Sequence, residues 1–174
     1  LTKLIEGRLI ASQIAAVALL VATASQAILS PEISRHAAAG TLAMLAPQMF
    51  KLAAVAGGVT VLGGGVMVAA FDLLQPIIGD AFAAARGPLM ILIAGYALMA
   101  LSFPVLPLLT MTGHARLVGW ANVAALAVNL GLDLVLIPRL GGTGAAIATL
   151  SSLVLLYGLH AFNVHRLGLL RQTA

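Results

Sequence analysis

Cysteine is absent from the 174 residues, which removes a disulfide framework and any thiolate metal site from consideration. Charge is scarce as well. Only 8% of residues are Asp, Glu, Lys or Arg, where a soluble domain carries roughly a quarter, so there is too little ionic surface to coat a water-exposed body of this size. Lysine occurs only as Lys3 and Lys51 and the arginines are scattered singly, so the formal net charge of +4 forms no basic patch, and nucleic acid is excluded as a partner. Enzyme signatures are missing: there is no phosphate-binding Gly-Lys-Ser/Thr loop, no zinc-type His-Glu pair and no nucleophile elbow. Ser151 and His160 lie nine residues apart, about 13 to 14 Å along a helix axis, too far to form a dyad. Asp72 and Asp80 near one interface would suit a polytopic glycosyltransferase, but the loops are too short to hold a nucleotide-sugar site. The sequence reads as a non-enzyme without cofactor or bound metal.

What is abundant is apolar surface: 61% of residues are hydrophobic and the mean hydropathy is +1.11. The natural solvent is a bilayer. A spanning helix needs about 20 mostly apolar residues, because lipid offers no partner to an open backbone group. Five stretches meet this, at residues 9–29, 52–70, 88–109, 117–137 and 144–164. They predict an all-α polytopic membrane helix bundle forming a single membrane domain over 1–174. The first stretch is expected to stop at Ser30-Pro31-Glu32, where proline interrupts the helix and charge marks the interface. Its flanks also outline a signal peptide, with Lys3 and Arg8 before the apolar run and Ala22-Thr23-Ala24 resembling a cleavage site. The run is longer than a signal core and four comparable stretches follow, so it is read as a span. Because the sequence opens at Leu1 and not at Met, it is read as a fragment or a processed chain.

In the connector at 31–51, Leu42, Leu45, Met49 and Leu52 recur at helical spacing while Arg35, His36 and Lys51 supply charge, the pattern of an interfacial helix leading into the second span. Small residues four apart predict close helix contacts: Gly144, Ala148 and Ser152 form one seam, and Gly141, Ala145 and Thr149 an adjacent one. Ala53 with Gly57, and Gly63-Gly64-Gly65, predict close packing or a bend in the second span. Pro104 and Pro107 weaken the third span, as a hinge or as a static kink.

Ionisable and polar groups inside spans are functional candidates. Asp133 is the acid deepest in a span, and Asn122, Asn129 and Asp133, spaced by seven and four, share one helical stripe. That stripe either faces a hydrated cavity, or consists of interhelical hydrogen bonds with Asp133 near the interface. Tyr157, His160 and Asn163 form a second stripe, readable as a proton relay, as cavity lining or as an interfacial anchor. Ser12, Gln13, Thr23, Ser25 and Gln26 are polar without charge in the first span; Gln13 and Gln26 are path candidates. Five spans place the termini on opposite faces, with Lys3, Arg8, Arg86 and Arg139 on one and Arg35, Lys51, Arg116, Arg166 and Arg171 on the other. The excess of basic residues leans toward a cytoplasmic C-terminus.

One pattern is more specific. Thr112-Gly113-His114-Ala115-Arg116, then Asn122 and Asn129, then Leu136-Ile137-Pro138-Arg139-Leu140-Gly141 and Gly144-Ala145-Ala146-Ile147-Ala148-Thr149 together resemble the C-terminal region of polysaccharide-exporter flippases. These belong to the multidrug/oligosaccharidyl-lipid/polysaccharide exporter superfamily. Upstream, Ile28-Leu29-Ser30-Pro31-Glu32-Ile33-Ser34-Arg35 is similar to the proline-containing end of the second helix in each lobe of that family. The resemblance implies half of a two-lobe carrier in the bacterial inner membrane, with the first lobe missing, that moves a lipid-linked oligosaccharide by alternating access. It also implies a cytoplasmic C-terminus. A polyprenyl diphosphate cargo is anionic and must be met by cations, yet none of the five stretches contains Lys or Arg. Recognition then falls to the missing lobe or to the rim residues Arg8, Arg35, Arg116 and Arg139. Arg35 and Arg116 face the loading side on this mapping, where they also serve as topology anchors. The alternatives are a cation-coupled multidrug exporter of the same superfamily, with Asp133 as the responsive acid, and a non-transporting membrane anchor or assembly subunit.

Overall fold

The computed structural model describes residues 30–78 and 85–170. The stretch at 9–29, with Gln13 and Gln26, lies outside the described residues, as do Lys3, Arg8, Asp80 and Arg171. Every element among the described residues is helical. Helix α1 covers residues 30–38; α2 is Leu42–Ile78, α3 Arg86–Leu101, α4 Val105–Met111, α5 Ala115–Leu140 and α6 Gly142–Arg166.

Among the described residues the apolar stretches form helices where hydropathy places them, but helix ends follow backbone hydrogen bonding. The turn that holds Pro31 is helical, α1 running on to residue 38, while the stretch expected to stop at Ser30-Pro31-Glu32 lies outside the described residues. Proline deletes a single donor, and the Ser34 hydroxyl donates to the Ser30 carbonyl at 3.1 Å. The chain reverses at Gly40, whose φ of +69° favours a residue without Cβ. There the Thr41 amide donates to the His36 carbonyl and the Gly40 amide to that of Ala37, the paired bonds of a Schellman cap. The same pairing recurs at Gly113, onto Leu109 and Thr110, and at Gly168, onto Val164 and His165.

Helix α2 begins at Leu42, well before the expected start at residue 52, and includes Lys51. Leu42, Leu45 and Met49 do recur on one helical face, and that face is buried against protein, while Leu52 is exposed. They join Ile33, Leu108, Leu109, Val118, Val164 and Leu169 in an apolar cluster that plugs one end of the bundle. Gly63-Gly64-Gly65 produces no break, since α2 is continuous through it. The third stretch, expected as one span, is two helices bent by 42°. Pro104 and Pro107 have no N–H to bond the preceding turn, and Val105 bonds Ser102 in a tighter turn instead. Among the described residues three helices are long and apolar enough to cross a membrane, or four if the bent pair is one span.

Helices α2, α3, α6 and α5 pack in that order as a row, and α4 caps α5 and α6. Their close contacts are made at glycine. A Cβ on Gly64 would lie 2.5 Å from the Ile93 Cγ2, and one on Gly57 would lie 2.5 Å from a Leu101 methyl. A Cβ on Gly95 would meet Leu153 at 3.1 Å. Gly144 lies against the Leu136 carbonyl itself, where a Cβ would collide with backbone. Of the two predicted seams, Gly144, Ala148 and Ser152 are all buried, while Gly141 is exposed and Ala145 and Thr149 are half-buried. Elsewhere α2 and α5 expose large apolar side chains such as Leu62, Val66 and Leu134, as expected of surfaces solvated by lipid tails.

Gly144→Ala should therefore weaken the α5–α6 contact by about 1–3 kcal/mol, the usual range for overpacking. Gly158→Ala, in the same helix but facing open space, should be neutral or stabilising by up to about 1 kcal/mol. Unfolding of both variants in a detergent titration checks this, and equal stability would contradict the close approach.

Candidate functional site: a polar seam between α5 and α6

The α5 stripe predicted from spacing separates into two parts. Asn122 is exposed, and its amide donates to the Val118 carbonyl of its own helix at 3.0 Å. Asn129 and Asp133 are half-buried. The Asn129 amide reaches across to the Ser152 hydroxyl at 3.4 Å. That hydroxyl donates to the Thr149 carbonyl at 2.8 Å, and the Thr149 hydroxyl donates to the Ala145 carbonyl at 2.9 Å. Ser152 is thus satisfied on both sides, and the seam is held by one interhelical hydrogen bond.

Asp133 stands between the two fixed contacts of the antiparallel pair, Asn129 with Ser152 and Leu136 with Gly144. That register sets it at the level of the fully buried Ala148. Its Oδ1 is buried and has no hydrogen-bond partner. An unsatisfied buried acceptor is costly, about 1–3 kcal/mol, and more if charged. An ionisable group so placed in an apolar helix pair is a functional candidate.

His160 is 1% exposed, and neither ring nitrogen has a hydrogen-bond partner. Its one defined polar-aromatic neighbour is Tyr157, edge-on with centroids 6.0 Å apart. The Tyr157, His160 and Asn163 stripe thus turns inward but assembles no proton wire among the described residues. It is also separate from Asp133: along α6, His160 lies twelve residues beyond Ala148, about 18 Å along the axis. Asn163 borders a shallow groove with Leu117, Trp120, Ala121, Ala124 and Leu159.

Arg35 and Arg116 are exposed at the plugged end. Arg35 bonds Glu32 of its own helix at 3.2 Å. No group of three or more metal-ligating side chains occurs among the described residues. The small-residue spacing places Ser152 on the seam without showing it as the partner of Asn129; its hydroxyl among glycine and alanine is the signal for that contact. Spacing along the chain also gave no sign of the ion pair that, among the described residues, joins two long helices. Arg86 at the start of α3 bonds Asp72 of α2 through Nε at 2.8 Å and Nη2 at 3.1 Å, at the end opposite the plug.

Compared with known proteins, the chain matches no family model, no curated protein and no solved structure. Its function must therefore be read from the residues and their arrangement.

The Arg86 hydrogen bonds hold the Asp72 carboxyl below its ordinary 3.8, with desolvation opposing and the guanidinium charge adding. A depressed carboxyl stabilises the folded state above its unfolded pKa, and that contribution is lost as pH falls through the lower folded value. Arg86→Gln should therefore move the Asp72 titration up toward 3.8 and remove this acid sensitivity. Carboxyl NMR titration in micelles reads the shift, and an unmoved Asp72 would mean the pair does not persist in solution.

Proposed function

We propose that the chain is the C-terminal portion of an integral-membrane carrier that flips lipid-linked oligosaccharide or polysaccharide repeat units across the bacterial inner membrane by alternating access. In this reading it supplies one wall of a two-lobed cavity. The observation that carries it is the placement of the flippase-like block. Leu136-Ile137-Pro138-Arg139-Leu140-Gly141 ends α5, Gly144-Ala145-Ala146-Ile147-Ala148-Thr149 opens α6, and the two meet where Gly144 packs on the Leu136 carbonyl. Beside that contact, Asn129, Asp133 and Ser152 put polar groups into an otherwise apolar helix pair. The bend at residues 102–104 supplies the joint that a moving bundle needs.

The C-terminus faces the cytoplasm in this reading. Among the described residues Arg35, Lys51, Arg116 and Arg166 lie toward the plugged end and Arg86 and Arg139 toward the other; the sequence grouping, which also counts Lys3, Arg8 and Arg171, gives five against four, a small excess that favours the first end as cytoplasmic. The chain has no cysteine, so Leu170→Cys provides a unique label. An impermeant thiol reagent should modify it only from the cytoplasmic side; modification from outside alone would reverse the orientation.

The decisive experiment is depletion of the protein in its host. Lipid-linked oligosaccharide should accumulate on the cytoplasmic leaflet, and an unchanged distribution would falsify the flippase reading. A second reading, a cation-coupled multidrug exporter, is favoured by the partnerless buried oxygen of Asp133. In that case Asp133→Asn abolishes gradient-driven export while the helical spectrum is retained; export that continues at the original rate rejects Asp133 as the coupling acid.

A further inference from the structure

Four cations share one end of the bundle and one relation to its core. Arg35 follows Ile33 by two residues, Lys51 follows Met49 by two, Arg116 precedes Val118 by two and Arg166 follows Val164 by two. Those four apolar residues belong to the same buried cluster. Two residues turn a helix by about 200° and advance it about 3 Å. Each cation therefore stands on the side of its helix facing away from the cluster, at nearly the same depth as its buried neighbour. All four are exposed. The outcome is an outward ring of positive charge around an apolar plug, contributed by α1, α2, α5 and α6. Glu32 bonds Arg35; Lys51, Arg116 and Arg166 have no carboxylate partner among the described residues.

Aromatic residues lie one turn deeper on the same faces. Trp120 follows Arg116 by four and Phe162 precedes Arg166 by four, and they are 72% and 60% exposed. Because α5 leaves the plugged end and α6 returns to it, both rings lie on the bilayer side of their cation. A cation outermost with an aromatic ring just beneath is the order that a headgroup layer imposes on a helix end. At the opposite end Arg86 is held by Asp72 through two hydrogen bonds, which leaves Arg139 as the one exposed cation there without a carboxylate partner among the described residues.

We propose that this ring binds the phosphate groups of anionic phospholipids in the leaflet surrounding the plugged end, whatever cargo the protein carries. Charge and direction select the occupant. Lipid phosphates surround a bundle on all sides at headgroup depth, and a guanidinium bonds phosphate through two parallel N–H groups. A diphosphate entering a central cavity would approach from within, whereas these side chains point away from the core. Each basic residue near the surface favours an anionic lipid by about fivefold.

The chain contains a single tryptophan, Trp120, one turn from Arg116, and it serves as the probe. The full chain is reconstituted in phosphatidylcholine vesicles in which an equal fraction of lipid is replaced by brominated phosphatidylglycerol or by brominated phosphatidylcholine. Bromine quenches the indole only at contact distance. Phosphatidylglycerol should occupy the Trp120 site with about fivefold preference, falling toward one in Arg116→Gln and, for the unaltered chain, in about 1 M salt, where screening reaches about 3 Å. Equal quenching by the two lipids overturns the proposal, as does a preference that survives both the substitution and the salt. The salt comparison keeps the test valid if the variant fails to fold. If a small fraction of polyprenyl diphosphate in the vesicle abolishes the preference, the ring is a cargo site and the proposal also falls.

Discussion

The arrangement of this protein depends on how closely helix backbones approach one another where no hydrophobic force pulls them together. Lipid tails are as apolar as leucine, so helices in a bilayer associate through van der Waals contact and interhelical hydrogen bonds, and both require small residues at the crossing. Gly57 and Gly64 admit side chains of α3, Gly95 admits Leu153 of α6, and Gly144 rests on a carbonyl of α5. The last contact is the most demanding, because backbone cannot yield as a side chain can. It sets the antiparallel register that brings Asn129 to Ser152 and sets Asp133 beside Ala148. The glycine contact and the Asn129–Ser152 hydrogen bond thus fit one and the same register.

The two ends of the row are built differently. One is closed by a cluster of apolar side chains, with the chain reversing at Gly40, Gly113 and Gly168 through the same pair of cap bonds. The cap satisfies carbonyls that would otherwise face a headgroup layer, and it holds Leu169 over Val164 in the plug. At the other end, the α2–α3 contact finishes in the Asp72–Arg86 ion pair, which is exposed and so contributes through geometry more than through net energy. A carrier of the proposed kind must open and close its ends in turn. An apolar plug at one end and a polar clasp at the other respond differently to water, lipid charge and pH.

Individual residues show how far the sequence carried. Hydropathy located the cores of the α2, α5 and α6 spans, because the free energy of transfer to lipid is summed over about 20 side chains and tolerates local exceptions. It misjudged their ends, because an end is decided by where backbone carbonyls find donors. Gly40 carried no expected stop, yet it ends α1. The small-residue spacing of Gly144, Ala148 and Ser152 was legible, since four-residue spacing on a helix defines a face whatever that face meets. The stripe of Asn122, Asn129 and Asp133 was legible as a stripe, but not its division, because spacing along one helix carries no information about the width of the neighbouring helix.

The sequence by itself determined the solvent, the helical class and the residues able to approach closely, since these follow from composition and from the period of one helix. It also carried the flippase-like block on which the proposed function rests. Only the tertiary structure decided that α3 stands between α2 and α6, that Asn129 meets Ser152 while Asn122 turns outward, that Asp133 keeps a buried oxygen without a partner, and that four scattered cations ring one plug. Those are relations between helices distant in sequence. They depend on crossing positions that glycine contacts permit and that no local pattern encodes.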